Sequence, residues 1–238
     1  MTGKWNRSVI LEDRLKREGK CYYVGNELYY QGMPVIHRDS KIDGGVCMGG
    51  SKREAIIVDS EKYDALKMLF DQTKDRIAGE YNFDPCNGEE VKGNVRYNQD
   101  TGEVILPKTI SEYVIMTELY KTVNETMKYD GKAVDEIVKK EDVDNDGLIT
   151  LDHFINKGVG VCRHMALTCG ALIELFKKEG HLNGKPSIER CKKGDDVHEW
   201  CRYTDEYNNV WVLDVAGNFF GELKNATGWW PYDRPGEN

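Results

Sequence analysis

The chain has no surplus of basic residues. Lys and Arg number 33 against 41 Asp and Glu, a formal net charge of −8. Coating nucleic acid, or docking on anionic lipid through charge, needs a basic excess, so neither is expected as a general mode. No apolar run approaches the ~20 residues that a membrane span requires. The N-terminus, Met1-Thr2-Gly3-Lys4-Trp5, lacks the apolar stretch of a secretory signal. A cytoplasmic protein is expected, or one exported without a cleaved N-terminal signal. The seven cysteines include no Cys-x-x-Cys pair, and their number is odd. Neither a zinc ribbon nor a closed disulfide framework is indicated. Such a set leaves room for one reactive thiol among inert buried ones. Internal repeats and low-complexity segments are also missing.

What is present is enough for a sizeable core, since 238 residues can bury roughly 70% of the unfolded surface. Residues 8–18 read as a short helix with Leu11 and Leu15 on one face. Two runs around Gly25-Asn26 read as a hairpin, and two more around Asp100-Thr101-Gly102 as another. Ser60 is placed to cap a helix over about 61–78, ended by Gly79. Residues 79–94 are polar and rich in Gly and Asn. They suggest a boundary between an N-terminal α/β region, 1–94, and a second unit, 95–238. A helix is expected from Thr109 or Ser111 to about Tyr129, with Tyr113, Met116, Tyr120, Val123 and Met127 as its apolar stripe. A shorter one follows over about 132–140. From Val161 to Phe176 the chain is apolar on nearly all sides, the mark of a helix inside a core. Strand candidates follow over about 187–192, 197–203 and 209–215. A polar turn joins the last two, so they are expected to be antiparallel.

Three residues in this second half carry chemistry. Cys162 follows Gly158-Val159-Gly160-Val161 and opens the buried helix. Unpaired N–H groups at a helix N-terminus favour a thiolate and can hold an oxyanion. His198 opens a strand, with Trp200 on its face either as a wall of the acyl site or as a core residue. Asp214 sits in Trp211-Val212-Leu213-Asp214, where a carboxylate is costly unless paired. Antiparallel pairing brings the start of one strand beside the end of the next, so Asp214 is expected near His198. Nucleophile, base and orienting carboxylate are then all supplied. His164, two residues on and about 200° around the helix, faces away from the thiol; it and Arg163 read as structural, bonded to the loop before the helix, and Cys169 reads as core.

Gly160-Val161-Cys162-Arg163-His164-Met165-Ala166, His198-Glu199-Trp200 and Val212-Leu213-Asp214 resemble the Gly-x-Cys-Arg-x-x-Ala, His-x-Trp and hydrophobic-Asp segments of the transglutaminase-like superfamily of papain-fold cysteine enzymes. The resemblance covers about residues 105–220. It implies an α+β fold whose papain-like core packs a Cys-bearing buried helix on an antiparallel sheet. It implies Cys162 as nucleophile, His198 as general base and acid, and Asp214 as orienter. The implied reaction is attack on an amide of a peptide or protein substrate, a thioester, then release to an amine (transglutaminase) or to water (protease or deamidase). No cofactor is required for that chemistry. After Asp214 this chain reads Val215-Ala216-Gly217, where the family commonly has a polar residue and Pro or Thr. The alternatives are a catalytically silent binding or scaffold module and a calcium-responsive interaction protein.

Calcium enters through Asp142-Val143-Asp144-Asn145-Asp146-Gly147, which resembles the start of an EF-hand loop. Asp142, Asp144 and Asp146 take its first, third and fifth positions, and glycine its sixth. The twelfth position holds His153 instead of Glu, with Asp152 beside it as a substitute ligand.

Overall fold

A computed structural model describes residues 4–5, 15–48, 54–81, 96–141, 148–193, 196–228, 230–232 and 234. The fold is mixed α+β. Its helices include α1 (Asp64–Tyr81), α2 (Glu112–Thr126), α3 (Gly131–Glu141), α4 (Leu151–Lys157) and α5 (Cys162–Lys178). The largest sheet is antiparallel and holds β1 (Lys4–Trp5), β2 (Lys185–Lys193), β3 (Asp196–Thr204), β4 (Val210–Asp214) and β5 (Phe219–Glu222), in that spatial order. Smaller sheets are built from Cys21–Val24, Glu27–Tyr30 and Met33–Pro34, and from Gly45–Cys47, Ala55–Val58 and Leu148–Thr150.

The two faces of the large sheet are buried differently. Strand alternation sends Cys201, Tyr203 and Leu213 to one side, where they join Leu167, Ala171 and Leu172 of α5 in the main core. The other side carries Cys191, Trp200 and Val212, covered by Phe219, Leu223, Trp230 and Tyr232. Helix α5 is buried nearly all round, as its sequence predicts, because α1 and α2 close its far side. Phe70 of α1 meets Phe176 of α5 edge-to-face, with ring centroids 4.6 Å apart. Ile56, Val58 and Leu66 share this core with Leu119 and Leu167, so one cluster draws on residues from both sides of position 94.

Both hairpins form as read from their turns, with Val24 opposite Glu27 and Tyr97 opposite Val104. Helix boundaries differ where long-range contacts decide them. Helix α1 starts at Asp64 rather than 61, and runs through Gly79. Its first turn is capped from a distance: the Asp152 carboxylate accepts the Ala65 N–H at 2.6 Å and also that of Leu66. Ser60 is taken instead by Asp43, at 2.7 Å through its N–H and 2.6 Å through its hydroxyl. Helix α2 ends at Thr126, because Lys128–Tyr129 pair in parallel with Val159–Gly160. Its buried face is Ile115, Met116, Leu119 and Val123, whereas Tyr113 is 53% exposed. Tyr113 and Tyr120 instead join an aromatic group with Trp211 and Phe220 at the edge of the core. Most of the helix expected over 8–18 lies outside the described residues.

Candidate active site

Cys162 is the first residue of α5, and three features of the chain hold it there. Val161 is extended (φ −117°, ψ −179°), which turns the backbone into the helix. Gly160 permits the close approach: a Cβ there would lie 2.8 Å from Met127 Cε and 3.0 Å from His164 Cβ. The Val159–Gly160 pairing with Lys128–Tyr129 then fixes the path into the thiol, with the Asp130 N–H donating to Gly160 O at 3.0 Å. Tyr129, 61% exposed, is carried beside Gly160.

Beneath Cys162 lies a buried polar lock. The Val161 N–H donates to His164 Nδ1 at 3.1 Å, so a neutral ring bears its proton on Nε2. That nitrogen faces Glu54 Oε1 at 3.1 Å. The Arg163 guanidinium pairs with the same carboxylate and also reaches the Glu54 carbonyl oxygen at 3.4 Å. The His164 ring packs on Phe154 with centroids 4.1 Å apart. Burial alone would raise the Glu54 pKa, but His164 and Arg163 outweigh it and hold the carboxyl at about 2. Arg163 and His164 thus pair with Glu54 below the helix start, and His164 lies away from the thiol as its angular position implies. Glu54 was not legible beforehand: one acid before an apolar strand carries no spacing signal. The first-turn N–H groups of Cys162 and Arg163 lie at the helix start, where no intrahelical acceptor exists for them.

His198 lies near the start of β3 and Asp214 ends β4. The antiparallel register, Cys201 opposite Leu213, brings them together as the strand argument predicts. His198 Nε2 is 2.5 Å from Asp214 Oδ2. The Cys162 thiol lies near enough to the imidazole to raise its basicity; Nε2 is occupied by Asp214, so Nδ1 is the ring nitrogen left to meet a sulfur. Burial pulls the His198 pKa down, yet the hydrogen bonds to Asp214 and Cys162 and the charges of both outweigh it and raise it to about 9. Cys162 is partly exposed, the His198 side chain is 15% exposed and that of Asp214 is 1% exposed. The cysteine therefore meets solvent while the carboxylate is sealed. Trp200 stacks on His198 with centroids 5.8 Å apart, but at 1% exposure it is a core residue under the imidazole and presents no wall to solvent.

Asp214 has further partners. The Gly217 N–H donates to Oδ1 at 2.7 Å and the Trp230 indole N–H to Oδ2 at 2.8 Å. The Val215-Ala216-Gly217 sequence is thus a turn that folds back onto its own carboxylate. An aromatic tail on a polar C-terminus was the available signal for Trp230.

The other cysteines described are buried, and none is in a disulfide. Burial raises the Cys169 and Cys201 thiols and pushes Cys47 up to about 12, which leaves them inert. Asp142, Asp144 and Asp146 lie outside the described residues. Asp152 is committed to capping α1, and His153 Nε2 faces Glu141 at 3.7 Å, so neither side chain is set aside as a twelfth-position ligand. Among the described residues, no helix is long and apolar enough to cross a membrane. The chain matches no family model, no curated protein and no solved structure.

Proposed function

We propose that the protein is a cysteine-dependent enzyme acting on an amide of a peptide or protein, as a transglutaminase, deamidase or protease, and that the α5–sheet unit is a papain-like, transglutaminase-like core. The observation that supports this reading is the His198–Asp214 hydrogen bond with Cys162 beside the same imidazole, the cysteine partly exposed and the carboxylate buried. In the reaction, the sulfur attacks the amide carbonyl with its proton already held on His198. The N–H groups at the start of α5 receive the developing oxyanion. His198 returns the proton to the leaving amine as the C–N bond breaks, and a thioester to Cys162 remains. Water or an amine, deprotonated by the same imidazole, then attacks the thioester and restores the thiol. Asp214 holds the ring and balances its charge.

The test is the rate of Cys162 alkylation by iodoacetamide against pH, read by mass spectrometry. Efficient reaction at about pH 6, lost at least ~10-fold in His198→Ala, is expected for a thiol activated by a neighbouring base. Equal, slow reaction in both proteins overturns the proposal.

A further inference from the structure

The C-terminal segment makes contacts that a simple tail does not need. Trp230 stacks on Phe219 with centroids 4.0 Å apart, and Tyr232 meets Trp200 edge-on at 5.7 Å. The Tyr232 hydroxyl donates to the fully buried Glu189, and Arg234 pairs with Glu189 and Asp39. The segment is thus strapped across the outer face of the sheet, anchored in β2, with one polar atom delivered to Asp214.

We propose that Trp230 is a positioning residue for the Cys162–His198 pair: its indole N–H occupies one lone pair of Asp214 Oδ2 and leaves the other as the only direction from which His198 can be held. This rests on the reading of Cys162, His198 and Asp214 given above. Gly217 alone pins Oδ1, which still allows the carboxylate to turn about its Cβ–Cγ bond. The indole removes that freedom, and its ring, pressed on Phe219, excludes water from the Oδ2 side. Without it, water takes the vacated lone pair and screens the His198–Asp214 pair. The other titratable groups near this carboxylate are Cys162 and Cys169 from α5 and Tyr120 from α2, with Cys191 across the ladder from His198. Besides His198, these are thiols and a phenol, which add no cation to hold the carboxylate in place.

The experiment is a titration of the His198 imidazole in the full chain by nitrogen-15 NMR, in wild type, Trp230→Phe and Tyr232→Phe, with melting curves for each. Tyr232→Phe loosens the strap at Glu189 without touching Asp214. Wild type and Tyr232→Phe are expected to titrate high, near 9. Trp230→Phe is expected to lose at least about tenfold in proton affinity, about one pH unit. In wild type, the Trp230 indole N–H resonance should shift with the same transition, a reading that needs no variant to fold. A Trp230→Phe titration that overlays wild type, or an indole signal blind to it, overturns the inference alone. A wild-type imidazole that titrates near its ordinary value overturns the functional reading beneath it as well.

Discussion

Replacing Glu54 by Gln tests whether the lock under the thiol is an ion pair that titrates. Glu54 is 2% exposed and the Arg163 side chain 5%, so neither has water to fall back on. Glutamine keeps the shape and a carbonyl acceptor but removes the charge. The Glu54 carboxyl moves from an ordinary 4.5 to about 2 in the folded chain. At about 1.4 kcal/mol per unit, that shift is worth about 3 kcal/mol of stability. An independent figure comes from buried pairs broken by removing one partner, roughly 3–5 kcal/mol. The two agree at their lower end, where an isosteric substitution belongs. The folded pKa is depressed, so this stabilisation is complete above the unfolded value. It disappears as pH falls through the folded one. The wild-type minus Glu54→Gln difference should therefore be level at about 3 kcal/mol above about pH 5 and approach zero near pH 2. Urea unfolding at a series of pH values measures it, and taking a difference cancels the carboxylates the two proteins share. A difference that stays constant across the acid range, or one below about 1 kcal/mol at neutral pH, would show that the charge on Glu54 does not hold Arg163 and His164.

Gly217→Ala places a Cβ 2.8 Å from Asp214 Cγ, closer than side chains sit, so the carboxylate must turn away from His198. Cys162 alkylation at about pH 6 should slow at least ~10-fold while the melting temperature moves by only a few degrees; an unchanged rate refutes the role given to that turn. Lys74 is 1% exposed and bonds Glu103 at 2.6 Å, Asp71 at 3.3 Å and Glu179 at 3.5 Å, all of them acids with water at hand. Lys74→Met should therefore change unfolding stability by no more than about 1 kcal/mol, because it deletes a buried charge and frees acids that water can take; a loss beyond about 3 kcal/mol in urea would mean those pairs hold α1 in place.

What could be read beforehand was what depends on neighbouring residues. The hairpin around Gly25-Asn26, the largely apolar α5 and the antiparallel strands each follow from a local period or turn. The meeting of His198 with Asp214 follows from the strands' order alone. What could not be read depends on partners far along the chain. Ser60 is a good capping residue by type, but Asp43 holds it and Asp152 caps α1 from 87 residues away. The stripe of Tyr113, Met116 and Tyr120 is regular in period, yet the helix is rolled so that Ile115 and Leu119 face the core and the tyrosines meet Trp211 and Phe220. Glu54 and Trp230 fall in the same class. Each completes a buried polar group that lies 109 or 16 residues away, and no spacing rule connects them.

Two carboxylates support Cys162, and they are neutralised in different ways. Glu54 is matched by Arg163, a cation that does not titrate in a protein, so that pair is internally neutral and presents only a dipole to the sulfur. Asp214 receives N–H dipoles from Gly217 and Trp230, and its ion pair is with His198. The full positive charge that balances it is thus one that can come and go. This is why the imidazole is held charged up to about 9 by a proton that it can exchange, unlike that of a guanidinium. An arginine in place of His198 would satisfy Asp214 better and hold no exchangeable proton at all. The site has given its permanent cation to the carboxylate that frames the helix and its titratable one to the carboxylate at the end of β4.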